Sequence, residues 1–335
     1  MKHIELGCQL GPYRVLQQLG AGGAGNVYLA EDVDSNDKVA LKTLRPGAEQ
    51  IEDIHARFIR EITVAQKVKS DYVVGYRDCG VDEGVLYYAM QYLPWGSLSD
   101  ILTVRGVLPW RETCECGIDI ARGLKHFHDL GILHRDVKPA NIFLSESGQL
   151  QLGDFGLARD VASHSLTMTG KTVGTGKYLA PEQARGQSDV DGRVDLYQLG
   201  CNLYQCMVGR TPFAPEEGHP PIDFMEMMRR HVQDPAPKLI DASPNCPPSL
   251  STLVGELLAK SPDDRPDSAS EVVDRLTQIL QDEKSAESES EEGESLTERL
   301  RGGPVSRELS GGRLLVVGGV LLALITIAAL AATQQ

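Results

Sequence analysis

His134-Arg135-Asp136-Val137-Lys138-Pro139-Ala140-Asn141 is the strongest local signal in the chain, and it organises the sequence on both sides. Eighteen residues after Asp136 comes Asp154-Phe155-Gly156, and after a further interval Ala180-Pro181-Glu182. Towards the C-terminus the apolar period stays helical, over Arg193–Val208, Phe224–Gln233, Ser249–Ala259 and Ala269–Leu280. Towards the N-terminus it is mainly helical back to Ser97, with Trp110–Leu130 among these stretches. Upstream of that the pattern changes. Tyr13–Leu19, Val27–Glu31, Lys38–Leu44, Val73–Cys79 and Val85–Tyr92 read as short strands, with one helix at Ile51–Val68. Pro94 and Gly96 interrupt both patterns near the change. The expectation is an α+β fold of two lobes, a small β-rich one over 11–92 and a larger helical one over 93–280, preceded by an extension at 1–10.

Gly20-Ala21-Gly22-Gly23-Ala24-Gly25-Asn26-Val27 is ambiguous alone, because dinucleotide-binding turns use a similar run where a strand meets a helix. Here a strand-like Val27-Tyr28-Leu29-Ala30 follows, then the turn-rich Asp34-Ser35-Asn36-Asp37, then a strand ending Val39-Ala40-Leu41-Lys42. A glycine loop joining two antiparallel strands is a flap over phosphates, and Lys42 is then placed to meet them. The next helix offers Glu61, whose carboxylate can hold the Lys42 ammonium as an ion pair.

Taken together, the glycine loop, the strand lysine, the helix glutamate, HRD-x-K-x-x-N, DFG and APE resemble the eukaryotic-type serine/threonine protein kinase family over about residues 11–280. The resemblance implies a bilobal kinase fold, ATP with Mg²⁺ or Mn²⁺ as cofactors, and protein substrates with Ser or Thr acceptors. Phosphoryl transfer needs its developing charge neutralised and its acceptor oxygen held in line. On that reading Asp136 orients the acceptor hydroxyl, Lys138 neutralises the γ-phosphate, and Asn141 and Asp154 hold the metal. Nucleotide contacts fall to Leu19, Gly20, Gly22, Gly25, Val27, Ala40, Lys42 and Glu61, and to Met90, Gln91 and Leu93 at the hinge. Asp195 resembles the residue that props the catalytic loop, and Arg265 the partner of Glu182. The Ala180–Gln183 stretch, together with the C-terminal apolar run, is similar to bacterial receptor-type kinases. Arg135 beside the base implies an anionic partner, expected from autophosphorylation at Thr167 and Thr169, whereas Thr175 is expected against the catalytic loop.

Of 335 residues 33 are basic and 47 acidic, a formal charge of −14, which argues against a nucleic-acid partner because phosphate binding needs clustered Lys and Arg. Seven scattered cysteines suit reduced thiols better than a disulfide framework. Leu314 to Ala332 is a run of nineteen uncharged residues, and at 1.5 Å per residue a helix that long spans roughly 28 Å, enough to cross a hydrocarbon core. Residues 281–313, rich in Ser, Glu and Gly, read as a flexible linker, with Arg299, Arg301, Arg307 and Arg313 marking its membrane-proximal end as cytoplasmic. Only 333–335 follow the span. A tail-anchored protein with a cytoplasmic catalytic domain is expected, in a bacterial inner membrane, and Gly319-x-x-x-Ala323 hints at a homodimer. The competing readings are an ATP-binding pseudokinase scaffold at the membrane and a small-molecule phosphotransferase of related fold.

Overall fold

The first part of the chain forms strands β1 (Gln9–Leu10), β2 (Tyr13–Ala21), β3 (Gly25–Asp32), β4 (Lys38–Leu44), β5 (Tyr76–Asp82) and β6 (Val85–Gln91), with β4 and β6 the most buried. They form one antiparallel sheet in the order β1-β2-β3-β4-β6-β5. The computed structural model describes residues 4–21, 25–44, 52–154, 176–215, 218–286 and Leu300. Helix α1 (Glu52–Lys67) follows β4 and sets Phe58 and Ile62 against Leu44 and Tyr88, the Phe58 and Tyr88 rings meeting edge-on at 5.3 Å. Leu10, Val15, Val39, Leu41, Tyr87 and Ala89 belong to a second buried cluster of the same sheet. The β3–β4 hairpin closes on Asp32, whose Oδ1 accepts from the backbone N–H groups of Asp34 and Ser35. β5 begins at Tyr76 rather than Val73, because the Val73-Val74 backbone is taken up elsewhere: Val73 forms a parallel bridge with Leu152, and Val74 N donates to Leu152 O at 2.8 Å.

The second lobe comprises α2 (Leu98–Arg105), α3 (Trp110–Asp129), the hairpin β7 (Ile142–Leu144) and β8 (Leu150–Leu152), α4 (Pro181–Ala184), α5 (Arg193–Val208), α6 (Phe224–Gln233), α7 (Leu239–Ala242), α8 (Pro248–Leu257) and α9 (Ala269–Ala286). Ser97 caps α2: its Oγ accepts from Asp100 N while the Asp100 carboxylate accepts from Ser97 N. α5 is buried without a break from Val194 to Tyr204, so it forms the centre of the lobe, and its polar side chains must find partners inside the protein. α3 packs against it and against α9. Gly117 permits the approach, since a Cβ there would lie 2.8 Å from Leu276 Cδ1 and 2.9 Å from Leu203 Cδ2. α9 continues past Leu280 to Ala286, and Leu300 is buried in the same apolar core.

All seven cysteines are free thiols. Cys114, Cys116, Cys201, Cys206 and Cys246 are buried in the helical lobe, and burial pushes Cys206 up to about 12 and Cys246 to about 11. Cys8 and Cys79 belong to the sheet lobe and are half-buried. Among the described residues no helix is long and apolar enough to cross a membrane; the run 314–332 lies outside them.

A buried acid in α3 makes the helical lobe pH-sensitive. Asp119 accepts from Leu150 N at 3.0 Å, and burial raises its pKa from 3.8 to about 6. The folded state therefore binds this proton more tightly than the unfolded chain, so the destabilisation is full above pH 6 and fades as pH falls through 6 towards 3.8. Asp119→Asn, which keeps the acceptor oxygen, should gain about 1–3 kcal/mol at pH 7.5 and little at pH 4, read by urea denaturation at the two pH values.

Candidate active site

Sheet register sets the first half of the site. Gly20 pairs with Val27, Val27 with Lys42 and Lys42 with Tyr88, one row across four strands. Lys42 Nζ donates to Glu61 Oε1 of α1 at 2.6 Å and to Asp154 Oδ1 at 2.7 Å. Tyr88 OH donates to the same Glu61 oxygen at 2.6 Å. Burial opposes the Lys42 charge, but Asp154, Tyr88 and Glu61 outweigh it and hold its pKa well above the ordinary lysine value. Burial raises the Glu61 pKa despite Lys42, whereas for Asp154 the ammonium overcomes burial and the pKa is lowered. An ammonium is thus fixed between two carboxylates, a buried one at Glu61 and a partly exposed one at Asp154.

The second half is built by the β7–β8 hairpin. Ile142 pairs with Leu152, which brings Asn141 beside the residues that follow β8, and Gly153 N donates to Asn141 O at 2.9 Å. Lys138 Nζ donates to Asp136 Oδ2 at 2.7 Å, and Asn141 Nδ2 reaches Asp136 O at 2.9 Å and Oδ2 at 3.1 Å. Both amide hydrogens of Asn141 are spent on Asp136, which leaves its Oδ1 as the atom able to ligate. Asp154 likewise has one oxygen on Lys42, and its second has no partner among the described residues. Arg135 (φ 62°) and Asp154 (φ 49°) both adopt left-handed backbone, strain that only a firm surround sustains. α5 provides that surround. Asp195 takes His134 N at 2.9 Å, Arg135 N at 2.7 Å and His128 Nε2 at 2.8 Å; Asn202, two turns on, donates to Val137 O at 3.0 Å.

The remaining expected contacts frame this centre. Leu19 and Gly20 end β2, Gly25 and Val27 start β3, and Ala40 lies on β4 opposite Met90, with Gln91 closing β6 and Leu93 buried just beyond. Gly25 sits where a Cβ would fall 1.9 Å from Thr43 O, so only glycine fits that backbone approach. Gly22, Phe155, Gly156, Thr167, Thr169 and Thr175 lie outside the described residues. Glu182 is held by Arg265 through two parallel bonds of 2.6 and 2.8 Å, and Arg265 also donates to Ala259 O and Arg193 O. Tyr88, Gln183, Gln198 and Asn202 were not anticipated. Gln183 closes the Ala180–Gln183 stretch, but nothing there assigns it a role; Tyr88 carries a signal, as an inward position of a strand running beside that of Lys42.

Fixed ammonium groups and oxygen donors converging beside a carboxylate suit the handling of phosphoryl groups. The protein kinase domain family matches residues 13–281. The crystal structure of the Mycobacterium tuberculosis PknI kinase domain, as a point mutant, superposes with a TM-score of 0.63 at 29% identity, over 83% of this chain and 99% of that one. Serine/threonine-protein kinase PknJ of Mycobacterium tuberculosis is 35% identical over 272 residues, 80% of this chain and 45% of PknJ. PknB of Mycobacterium leprae is 37% identical over 266 residues, 78% of this chain and 42% of PknB. A probable serine/threonine-protein kinase of Clostridium perfringens is 35% identical over 283 residues, covering 83% of this chain and 40% of its own length. The chain thus spans less than half the length of these curated relatives. With its two lobes, its lysine–glutamate pair and its catalytic-loop arrangement all falling within the matched region, this chain belongs to the protein kinase domain family.

Proposed function

We propose that the chain acts as a serine/threonine protein kinase, transferring the γ-phosphoryl group of ATP to a protein hydroxyl. The observation that carries this reading is the intact set Lys42, Glu61, Asp136, Lys138, Asn141 and Asp154, in contact as two clusters that the Gly153 N to Asn141 O bond brings side by side. Lys42 fixes the nucleotide phosphates, and Glu61 holds Lys42. Asn141 Oδ1 and the second Asp154 oxygen are hard donors suited to Mg²⁺, which when bound neutralises charge on the phosphates. Leu19, Gly20, Gly22, Gly25, Val27 and Ala40 line the nucleotide site, and Met90, Gln91 and Leu93 its adenine edge. Asp136 orients the acceptor hydroxyl and takes its proton as the new O–P bond forms and the bond to the ADP oxygen breaks. Lys138 stabilises the charge on the group in flight while keeping Asp136 in place.

Two finer features complete the proposal. Residues 314–332 tether the protein to a membrane, a reading supported by their nineteen uncharged residues, with 301–313 as linker, since α9 runs to Ala286 and Leu300 is buried in the helical lobe. Thr167 and Thr169 are phosphorylated by the enzyme itself, supported by Arg135 next to the base and by the Ser/Thr cluster from Ser163 to Thr172. One preparation tests all three statements. Full-length protein should pellet with membranes, a form lacking 314–335 should not, and both should move label from γ-labelled ATP with Mg²⁺ onto a generic protein substrate and onto Thr167 or Thr169. A folded chain that binds ATP but labels no protein would establish the scaffold reading instead.

A further inference from the structure

Gln198 and Gln183 have no part in the chemistry above, yet their carboxamides are fully engaged. Both side chains are buried, each residue 2% exposed. Val137 N is a donor, so the Gln198 atom 2.8 Å from it is Oε1, which fixes the orientation of the amide. Nε2 then faces two acceptors, Arg135 O at 3.0 Å and Gln183 Oε1 at 3.1 Å. Gln183 Oε1 accepts in addition from Ala180 N at 3.1 Å, and Gln183 Nε2 lies 3.4 Å from Arg135 O. Arg135 and Val137 are the two neighbours of Asp136. Ala180 is the residue at which the chain enters α4.

The path Val137 N, Gln198, Gln183, Ala180 N therefore joins the catalytic loop to the start of α4 through two side chains, with Arg135 O bound by both. Asp195 already holds Arg135 from its N–H side, so the left-handed Arg135 is gripped on both of its peptide units. Asp195, Gln198 and Asn202 stand three and four residues apart on α5 and form one stripe under the loop. Apolar residues would fill the volume at 183 and 198 without desolvating four polar atoms, so packing alone gives no reason for a pair of glutamines there.

We infer that Gln183 and Gln198 form a positioning relay, which locks the peptide units on either side of Asp136 to the entry of α4. The backbone carrying the base then shifts only together with the segment leading to the Glu182–Arg265 pair. This rests on the reading of Asp136 as the group that receives the acceptor proton. The relay acts through Asp136 and touches neither nucleotide nor acceptor.

The test uses the full chain with Gln198→Met, Gln183→Met, the double variant and Gln183→Glu. Gln198→Met should lower kcat for a protein substrate about 10-fold or more, since small displacements of a catalytic group are costly. KM for ATP should stay within about twofold, a split that general loosening of the fold would not give. The double variant should lose no more than the worse single variant, because the relay breaks as a unit. Gln183→Glu retains an oxygen for Ala180 N and for Gln198 Nε2 but replaces the donor to Arg135 O with a buried acceptor, and should lower kcat as Gln183→Met does. Hydrogen exchange of the 134–141 amides, followed without substrate, should quicken about 10-fold in both Met variants. Unchanged exchange with parental kcat in a folded Met variant, or additive losses in the double variant, overturns the relay. If Gln198→Met does not fold, Gln183→Met carries the same readouts from outside α5. Failure of the kinase reading is distinct: the parent chain would then protect 134–141 and transfer no phosphate.

Discussion

Asp136→Asn should lower phosphate transfer by about 10²–10⁴-fold while the protein stays folded and binds ATP. The substitution keeps the shape of the group and removes its ability to take a proton. Lys138 and Asn141 both donate to Asp136 Oδ2, and an asparagine that presents its oxygen there retains both bonds. Its NH₂ group then faces the acceptor hydroxyl. Lys42→Met should be as damaging by another route, because it leaves Glu61 and Asp154 without the ammonium that joins them. Glu61, whose pKa burial already raises, can take up a proton and so avoid an unpaired buried charge. The Lys42 variant should therefore remain folded but lose nucleotide affinity. Isothermal titration with an ATP analogue and a single-turnover assay separate the two: weakened binding for Lys42→Met, parental binding with slow transfer for Asp136→Asn. Parental turnover in either folded variant would remove that residue from the mechanism.

Arg265→Ala should have the largest effect on stability. Its guanidinium is 4% exposed by residue, bonded twice to Glu182, and lies over the Tyr197 ring at 4.9 Å. Removing one member of a buried pair leaves a charge with neither partner nor water, at a cost of about 3–5 kcal/mol. Carbonyls of Ala259 and Arg193 lose their donor at the same time. For a domain of this size the melting temperature should fall by about 10 °C. The double variant Glu182→Leu with Arg265→Met should recover part of that loss, because the pair is then replaced by apolar volume. Equal melting temperatures for Arg265→Ala and the parent would show that Glu182 finds another cation.

Much of this was legible in the sequence because short motifs carry chemistry at fixed spacing. The lobes, the Lys42–Glu61 pair, the convergence of Asp136, Lys138, Asn141 and Asp154, and the pairing of Arg265 with Glu182 all lie where the residues imply. Helix α5 was read to the residue, with Gly192 and Gly209 marking its two ends. What stayed hidden depends on long-range contact. The amides under the catalytic loop are Gln198 and Asn202 of α5 with Gln183 of α4, residue types that carry no charge pattern and no period of their own. Tyr88 reads as one more β-strand aromatic until the sheet register sets it beside Lys42. The start of β5 was misplaced because Val73 and Val74 have strand character, but their backbone groups go to Leu152 rather than to the sheet.

The free thiols divide the molecule in a way that outlasts any question of catalysis. Reagents that alkylate sulfur attack the thiolate, and a thiol whose pKa is pushed up to about 11 or 12 by burial has almost none at neutral pH. The five cysteines of the helical lobe are therefore silent until the element around each of them opens. Cys8 and Cys79, on the sheet lobe, are half-buried and within reach of a reagent without such an opening. Labelling kinetics of the buried thiols on the unmodified chain then time the opening of the helical lobe, with no reporter group to be introduced.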